Sequence, residues 1–478
     1  MKKFLTILWF VIIIGSVFIA FNLFKLKSTQ PPIDNAIITD VKNQKPSQTY
    51  EEYLAIGDKL TLEKNYTTAI DNYIFANKVD PKAITPLLRL GQVYLKDNDP
   101  TNARESFMLA EKIDSTSLEA KLGIMQSYLD ARNFDQAKSY VSTLDNTNDQ
   151  VKYYNAVLLI LLKDFPKAQT LFTEITTRKP PAEKTLIANS QKFLDKYKLF
   201  ATFKEGTNIF LQTLLAKALT EVGQYQAAVP LLFDVINQKS NYRDAWIILG
   251  YAYLNTNKPA DAVDAFSQAE TLSPDKPESL FFLGLAYFAD NDINRAVYYI
   301  EKAETNGFEP KEQAELKLGD LYVIQQKYQE AGLKYDYVLT ANTSNLEIYN
   351  RAVWLNIEKL NNANHALTIA QDAVKNHPNE AMSYNLLGWA YTSLNDFESA
   401  KQNLQKAVDL NPGLDAIYLN IGNLYAKQGS NDLAKEYYRK AAILGQGSSV
   451  GTLAQNKLYG LLTNQDTEKF SNINISKP

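Results

Sequence analysis

Between Trp246 and Pro274 the chain reads WIILGYAYLNTNKPADAVDAFSQAETLSP, and its apolar and small residues follow a helical period. Trp246, Leu249, Gly250 and Tyr253 fall at i, i+3, i+4 and i+7 and share one helix face. A polar break at Asn255–Pro259 follows, then Ala262, Phe266 and Ala269 at the same kind of spacing. Pro274 ends the run, because proline cannot continue a helix interior. The pattern predicts two antiparallel helices joined by a tight turn. Gly250 and Ala262 are the small residues that let the helices approach, and larger side chains fill the space on either side.

This unit recurs along most of the chain. Its second-helix alanine returns as Ala69, Ala103, Ala137, Ala168, Ala228, Ala262, Ala296, Ala331, Ala366, Ala400 and Ala434, at intervals of 34, 34, 31, 60, 34, 34, 35, 35, 34 and 34. Twelve residues before the alanine stands glycine at Gly57, Gly91, Gly250, Gly284, Gly319, Gly388 and Gly422. Three residues later a tyrosine often follows, as at Tyr94, Tyr253, Tyr287, Tyr322, Tyr391 and Tyr425. Met125, Ala156, Ala216 and Trp354 take the glycine position elsewhere, and those helix pairs are expected to pack wider or shifted. In period and residue type the unit resembles the tetratricopeptide repeat. The resemblance implies an all-α fold, a right-handed superhelical solenoid of about eleven helix pairs. It also implies that first helices line a concave side where peptide segments or partner helices dock. A known subtype grips C-terminal carboxylates with a lysine–asparagine clamp, but here Arg351 is followed one turn later by Leu355 and Asn385 by Trp389.

The flanks add a membrane element. Phe4–Phe24 carries no charge and is bracketed by Lys2, Lys3, Lys25 and Lys27. At ~1.5 Å per residue it spans ~31 Å, close to the hydrocarbon thickness of a bilayer. The run is longer than the core of a cleaved signal and exits through bulky residues, so a single uncleaved transmembrane helix is expected before the repeats. Lysine pairs flank both ends and the α-amine adds one charge inside, which places the repeats outside the cytoplasm. The expected organisation is an anchor over 1–27, a proline-interrupted tether over 28–49, repeats over 50–180, a helical insert over 181–206, repeats over 207–446, a capping helix over 447–463 and a polar tail over 464–478. Lysines give the insert a basic bias. A spacer helix between the two arrays accounts for it better than a membrane-surface helix.

Composition removes most chemistry. The 478 residues hold no cysteine, which excludes disulfides, thiolate zinc sites and cysteine nucleophiles. A net charge of −3 provides no basic field for nucleic acid. The two histidines, His365 and His377, lie twelve residues apart and do not share a metal-binding spacing. GQGSSVG at Gly445–Gly451 lacks the strand and the Lys-Ser/Thr of a phosphate loop, and reads as the turn before the capping helix. No catalytic residue, metal or cofactor is expected.

What remains is a surface for other proteins or peptide segments. Beside the packing face of the Trp246 helix runs a second apolar stripe, Ile247, Tyr251 and Leu254, continued in the next repeat by Phe281, Leu285 and Phe288. Contact between neighbouring first helices accounts for Ile247 and Leu285. Tyr251 and Phe288 are the preferred groove anchors, because aromatics give large contact area at low entropic cost. Trp389, Asn420 and Asn423 are the candidates further along, with Lys427 beside them giving a polar inner face. The expected function is a membrane-tethered protein–protein interaction scaffold in envelope assembly. The alternative is a regulatory or substrate-positioning subunit of a membrane-associated enzyme complex.

Overall fold

The computed structural model describes residues 48–203, 206–446 and 448–461. Among them the chain forms 24 α-helices in two compact units that divide after Asn306. The first unit contains α1 (Tyr50–Leu62), α2 (Tyr66–Val79), α3 (Thr85–Lys96), α4 (Pro100–Ile113), α5 (Leu118–Asp130), α6 (Phe134–Val141), α7 (Asp149–Leu161), α8 (Phe165–Thr177), α9 (Lys184–Ala201), α10 (Asn208–Glu221), α11 (Tyr225–Gln238), α12 (Arg243–Asn255), α13 (Pro259–Leu272), α14 (Pro277–Ala289) and α15 (Ile293–Thr305). The second contains α16 (Lys311–Ile324), α17 (Tyr328–Ala341), α18 (Leu346–Glu358), α19 (Ala363–Asn376), α20 (Ala381–Ser393), α21 (Phe397–Leu410), α22 (Asp415–Lys427), α23 (Asn431–Leu444) and α24 (Ser449–Leu461). The expected anchor and most of the tether, with the tail, lie outside the described residues. Among the described residues no helix is long and apolar enough to cross a membrane.

Each helix pair turns through one left-handed residue. These are Lys64, Asn98, Arg132, Lys163, Gly223, Asn257, Asn291, Gln326, Asn361, Asn395 and Gly429, one in each of eleven pairs. Asparagine and glycine dominate because an ordinary side chain costs about 1–2 kcal/mol at positive φ. Where an aspartate follows the turn residue it caps the second helix: Asp99 accepts from the Asn102 amide at 3.0 Å, Asp292 from Arg295 at 2.9 Å and Asp396 from Ser399 at 3.1 Å. Such caps stabilise a helix by roughly 0.5–2 kcal/mol each.

Within a pair, the first-helix glycine receives a large side chain from sixteen residues on. A Cβ built on Gly250 would lie 2.8 Å from the Phe266 ring, and one on Gly422 2.5 Å from Tyr438. The same geometry joins Gly57 to Tyr73, Gly91 to Phe107 and Gly319 to Tyr335. Phe266, like Ala262 beside it, is fully buried, so the glycine is a socket for the ring as well as a point of close approach.

Trp354 does not occupy this position. The turn between α18 and α19 holds one residue more than the others, which shifts the register, and Val353 is the fully buried residue there. Trp354 is rotated to a half-buried position with Lys359 over its ring.

Helix α9 packs on both α8 and α10. Phe193 stacks on Phe172 at 4.4 Å between centroids, and the Tyr197 hydroxyl donates to the Phe165 carbonyl at 2.9 Å. Two of its lysines turn inward: Lys192 donates to the Glu221 carbonyl at 2.8 Å, and Lys196 pairs with the Glu221 carboxylate at 2.9 Å.

Helix α24 closes the second unit against α23 and α22. Its inward residues are Ala454 and Leu458, one helical turn apart, while Leu453 is 47 % exposed. Leu453 points away from the last repeat, because it lies about 100° round the helix from Ala454.

Candidate interaction surface

In the first unit, α12 buries Leu249, Gly250 and Tyr253 against its own repeat and leaves Ile248, Tyr251 and Leu254 partly exposed. The Tyr251 ring is fixed by edge contacts to Tyr225 at 6.0 Å and Phe282 at 6.2 Å. Burial pushes its hydroxyl well above the usual tyrosine range, so it stays neutral. The Asn255 amide donates to the Tyr251 carbonyl at 2.8 Å. This is a rigid, uncharged aromatic corner. It can bind apolar groups at little ordering cost.

The neighbouring helix is placed differently from the sequence expectation. Phe281 is 5 % exposed and Phe288 8 %, so both belong to the core and Phe288 is not an open groove anchor. Leu285, assigned above to helix–helix contact, stays partly exposed, while Ile247 is buried. Helix α14 is apolar on every side (PESLFFLGLAYFA), so periodicity alone did not separate its faces.

The second unit carries a polar row. Asn420 donates to the Asn385 side-chain oxygen at 3.0 Å, Asn423 donates to Asn420 at 3.1 Å, and the Tyr438 hydroxyl donates to Asn423 at 2.9 Å. Asn385 and Asn420 are buried, which corrects the placing of Asn420 as a free polar contact; its amide is spent on its neighbour. Asn423 and Trp389 remain half-buried. Lys427 donates to the carbonyls of Thr392 at 3.0 Å and Ser393 at 2.8 Å, across the C-terminal end of α20 where the helix dipole favours a cation.

One network was not anticipated. Arg351 of α18 donates to Asp320 of α16 at 2.6 Å, and the Tyr335 hydroxyl donates to the same carboxylate at 2.9 Å. Burial pushes Glu347, one turn before Arg351, up to about 7 despite the arginine. Its signal in the sequence was a lysine, an aspartate and an arginine on first-helix positions of adjacent repeats, Lys317, Asp320 and Arg351. Arg351 and Asp320 are spent on each other, so they hold α16 and α18 together instead of facing a ligand, and Lys317 is buried on the same helix as Asp320.

Among the described residues no group of histidines and carboxylates could hold a metal ion. His365 faces Asp336 at 3.1 Å, and the His377 ring donates to the Thr343 carbonyl at 2.7 Å.

Family profiles described as tetratricopeptide repeat match residues 85–117, 213–277, 247–310, 360–413 and 416–442. These segments fall on the helix pairs just described, in both units. The chain carries tetratricopeptide repeats. Its similar proteins include the anaphase-promoting complex subunit cut9 of Schizosaccharomyces pombe, 23 % identical over 171 residues, or 36 % of this chain and 25 % of that protein. A second is the DnaJ homolog subfamily C member 7 homolog of Dictyostelium discoideum, 25 % identical over 263 residues, or 54 % of this chain and 43 % of that protein. The chain thus spans less than half the length of these curated relatives. Among solved structures, the Cut9–Hcn1 hetero-tetramer aligns with a TM-score of 0.39 at 13 % identity, over 87 % of this chain and 97 % of that one. Tyr251, Phe281, Leu285 and Phe288 lie inside the repeat match at 247–310, Trp389 inside that at 360–413, and Asn420 and Asn423 inside that at 416–442.

Proposed function

We propose that this chain is a non-catalytic interaction scaffold, tethered to a membrane through residues 4–24, with its repeats outside the cytoplasm. It organises other proteins of an envelope assembly. The observation that carries the reading is the aromatic corner at Tyr251, a rigid and partly exposed apolar strip on a first helix of the repeat array. A partner segment placing apolar side chains against Ile248, Tyr251, Leu254 and Leu285 gains contact area without ordering new protein structure. The uncharged run before the repeats supports the tether.

Fractionation tests both halves together. Full-length chain is expected to stay with membranes at high salt and to bring a partner with it. A chain beginning at residue 28 is expected in the soluble fraction, still binding that partner. Membrane retention of the shortened chain rejects the tether, and its loss of the partner rejects a binding surface confined to the repeats.

A further inference from the structure

We infer that α11 is a latch on the first repeats, closed while the Asp130 carboxyl is protonated and released as it ionises. The second helix α13 buries only Ala262, Ala265, Phe266 and Ala269, on one face. Its counterpart α11 buries Ala227, Ala228, Val229, Leu231, Leu232, Val235 and Ile236, on more than one. The added burial comes from the earlier repeats: α11 packs on α10 of its own pair and also against α5 and α7. Polar contacts mark its course along their turns. Gln226 donates to Asn98, in the turn after α3. Gln224 and Gln126 exchange reciprocal amide bonds at 2.7 and 2.9 Å, near the end of α5. Asp234 pairs with Lys163, after α7, at 2.8 Å.

Asp130 lies beside this seal and is joined to it through Gln126. It is the last residue of α5, where the helix dipole disfavours a negative charge. The Gln126 amide that pairs with Gln224 also donates to the Asp130 carboxylate, at 2.7 Å. Tyr154 of α7 is the ionisable neighbour; burial and that carboxylate push it up to about 12, so it brings no positive charge. Arg132, in the turn after α5, acts on Tyr253 of α12, and Lys163 is engaged by Asp234. Gln224, the residue that caps α11 and meets Gln126, is uncharged, as is Gln226, which is bonded to Asn98. Burial pushes the Asp130 carboxyl up to about 7, opposed only by the Gln126 hydrogen bond.

The direction follows from linkage. Released, Asp130 ionises near 4; closed, near 7. The closed state is therefore at its most stable below about pH 4, weakens by about tenfold per pH unit between those values, and levels off above pH 7.

Amide exchange of the full-length chain, expressed as protection factors from pH 5 to 8, tests this. The expected result is falling protection of Tyr225–Gln238 up to about pH 7, with Phe397–Leu410 unchanged as the reference. Asp130→Asn is expected to hold α11 protected at every pH. Equal pH responses in the two proteins, or constant protection in the parent, overturn the latch. Gln224→Ala with Gln226→Ala breaks the seal and leaves Asp130 in place; it is expected to lower α11 protection at every pH with a shallower pH response. A full, unchanged response there overturns the proposal even if Asp130→Asn does not fold.

Discussion

Gly250 and Phe266 show what a single residue does in this array. The ring lies where a Cβ would go, 2.8 Å away, and it is fully buried. Gly250→Val is expected to destabilise by about 1–3 kcal/mol through overpacking, although helix propensity alone favours valine over glycine. Adding Phe266→Leu is expected to recover part of the loss, because the smaller side chain yields space. Urea or thermal midpoints of the three proteins check it, and an unshifted midpoint for Gly250→Val contradicts the socket. The glycine and its distant partner were both legible, since their sixteen-residue spacing recurs from Gly57–Tyr73 to Gly422–Tyr438. Val353 was not, because one extra turn residue after α18 moved the register and made Trp354 look like the interface. Phe288 was misplaced for another reason. An all-apolar helix has no polar face to mark its orientation, and only the packed neighbours decide which ring is covered.

At the scale of elements, the turns carry a regularity that hydrophobic spacing does not reveal. One left-handed residue joins every pair, and asparagine fills five of the eleven places. Asn257 at φ +55° is a fair test. Asn257→Gly is expected to be nearly neutral, while Asn257→Val is expected to cost about 1–2 kcal/mol from backbone strain. Thermal melts of the pair check it, and equal midpoints contradict the strain argument. The helices α9 and α24 were legible as elements, but their inward faces were only half so. Lysines at Lys192 and Lys196, read as basic bias, reach α10 through their long side chains. Leu453 and Leu458 look alike in sequence, and only the angle about α24 separates them.

For the molecule as a whole, repeat number and pairing could be read from period alone, because each repeat mainly contacts its neighbours. The contact of α11 with α5 and α7 escapes that logic, since it joins residues about a hundred apart. Its trace in the sequence is AAVPLLFDVI, a second helix too apolar for a one-sided role. The central functional claim is that partners bind on first helices, at the Tyr251 corner. Site-specific photo-crosslinking in the full-length chain tests it most directly, with the reactive side chain placed at Leu254 beside Tyr251, or at Tyr298 on the second helix α15, which is 56 % exposed. The account predicts a crosslinked partner from position 254, absent from position 298, and lost when Tyr251→Ala is added to a chain whose melt is unchanged. A partner captured from position 298 alone, or capture at 254 that persists without the Tyr251 ring, contradicts it.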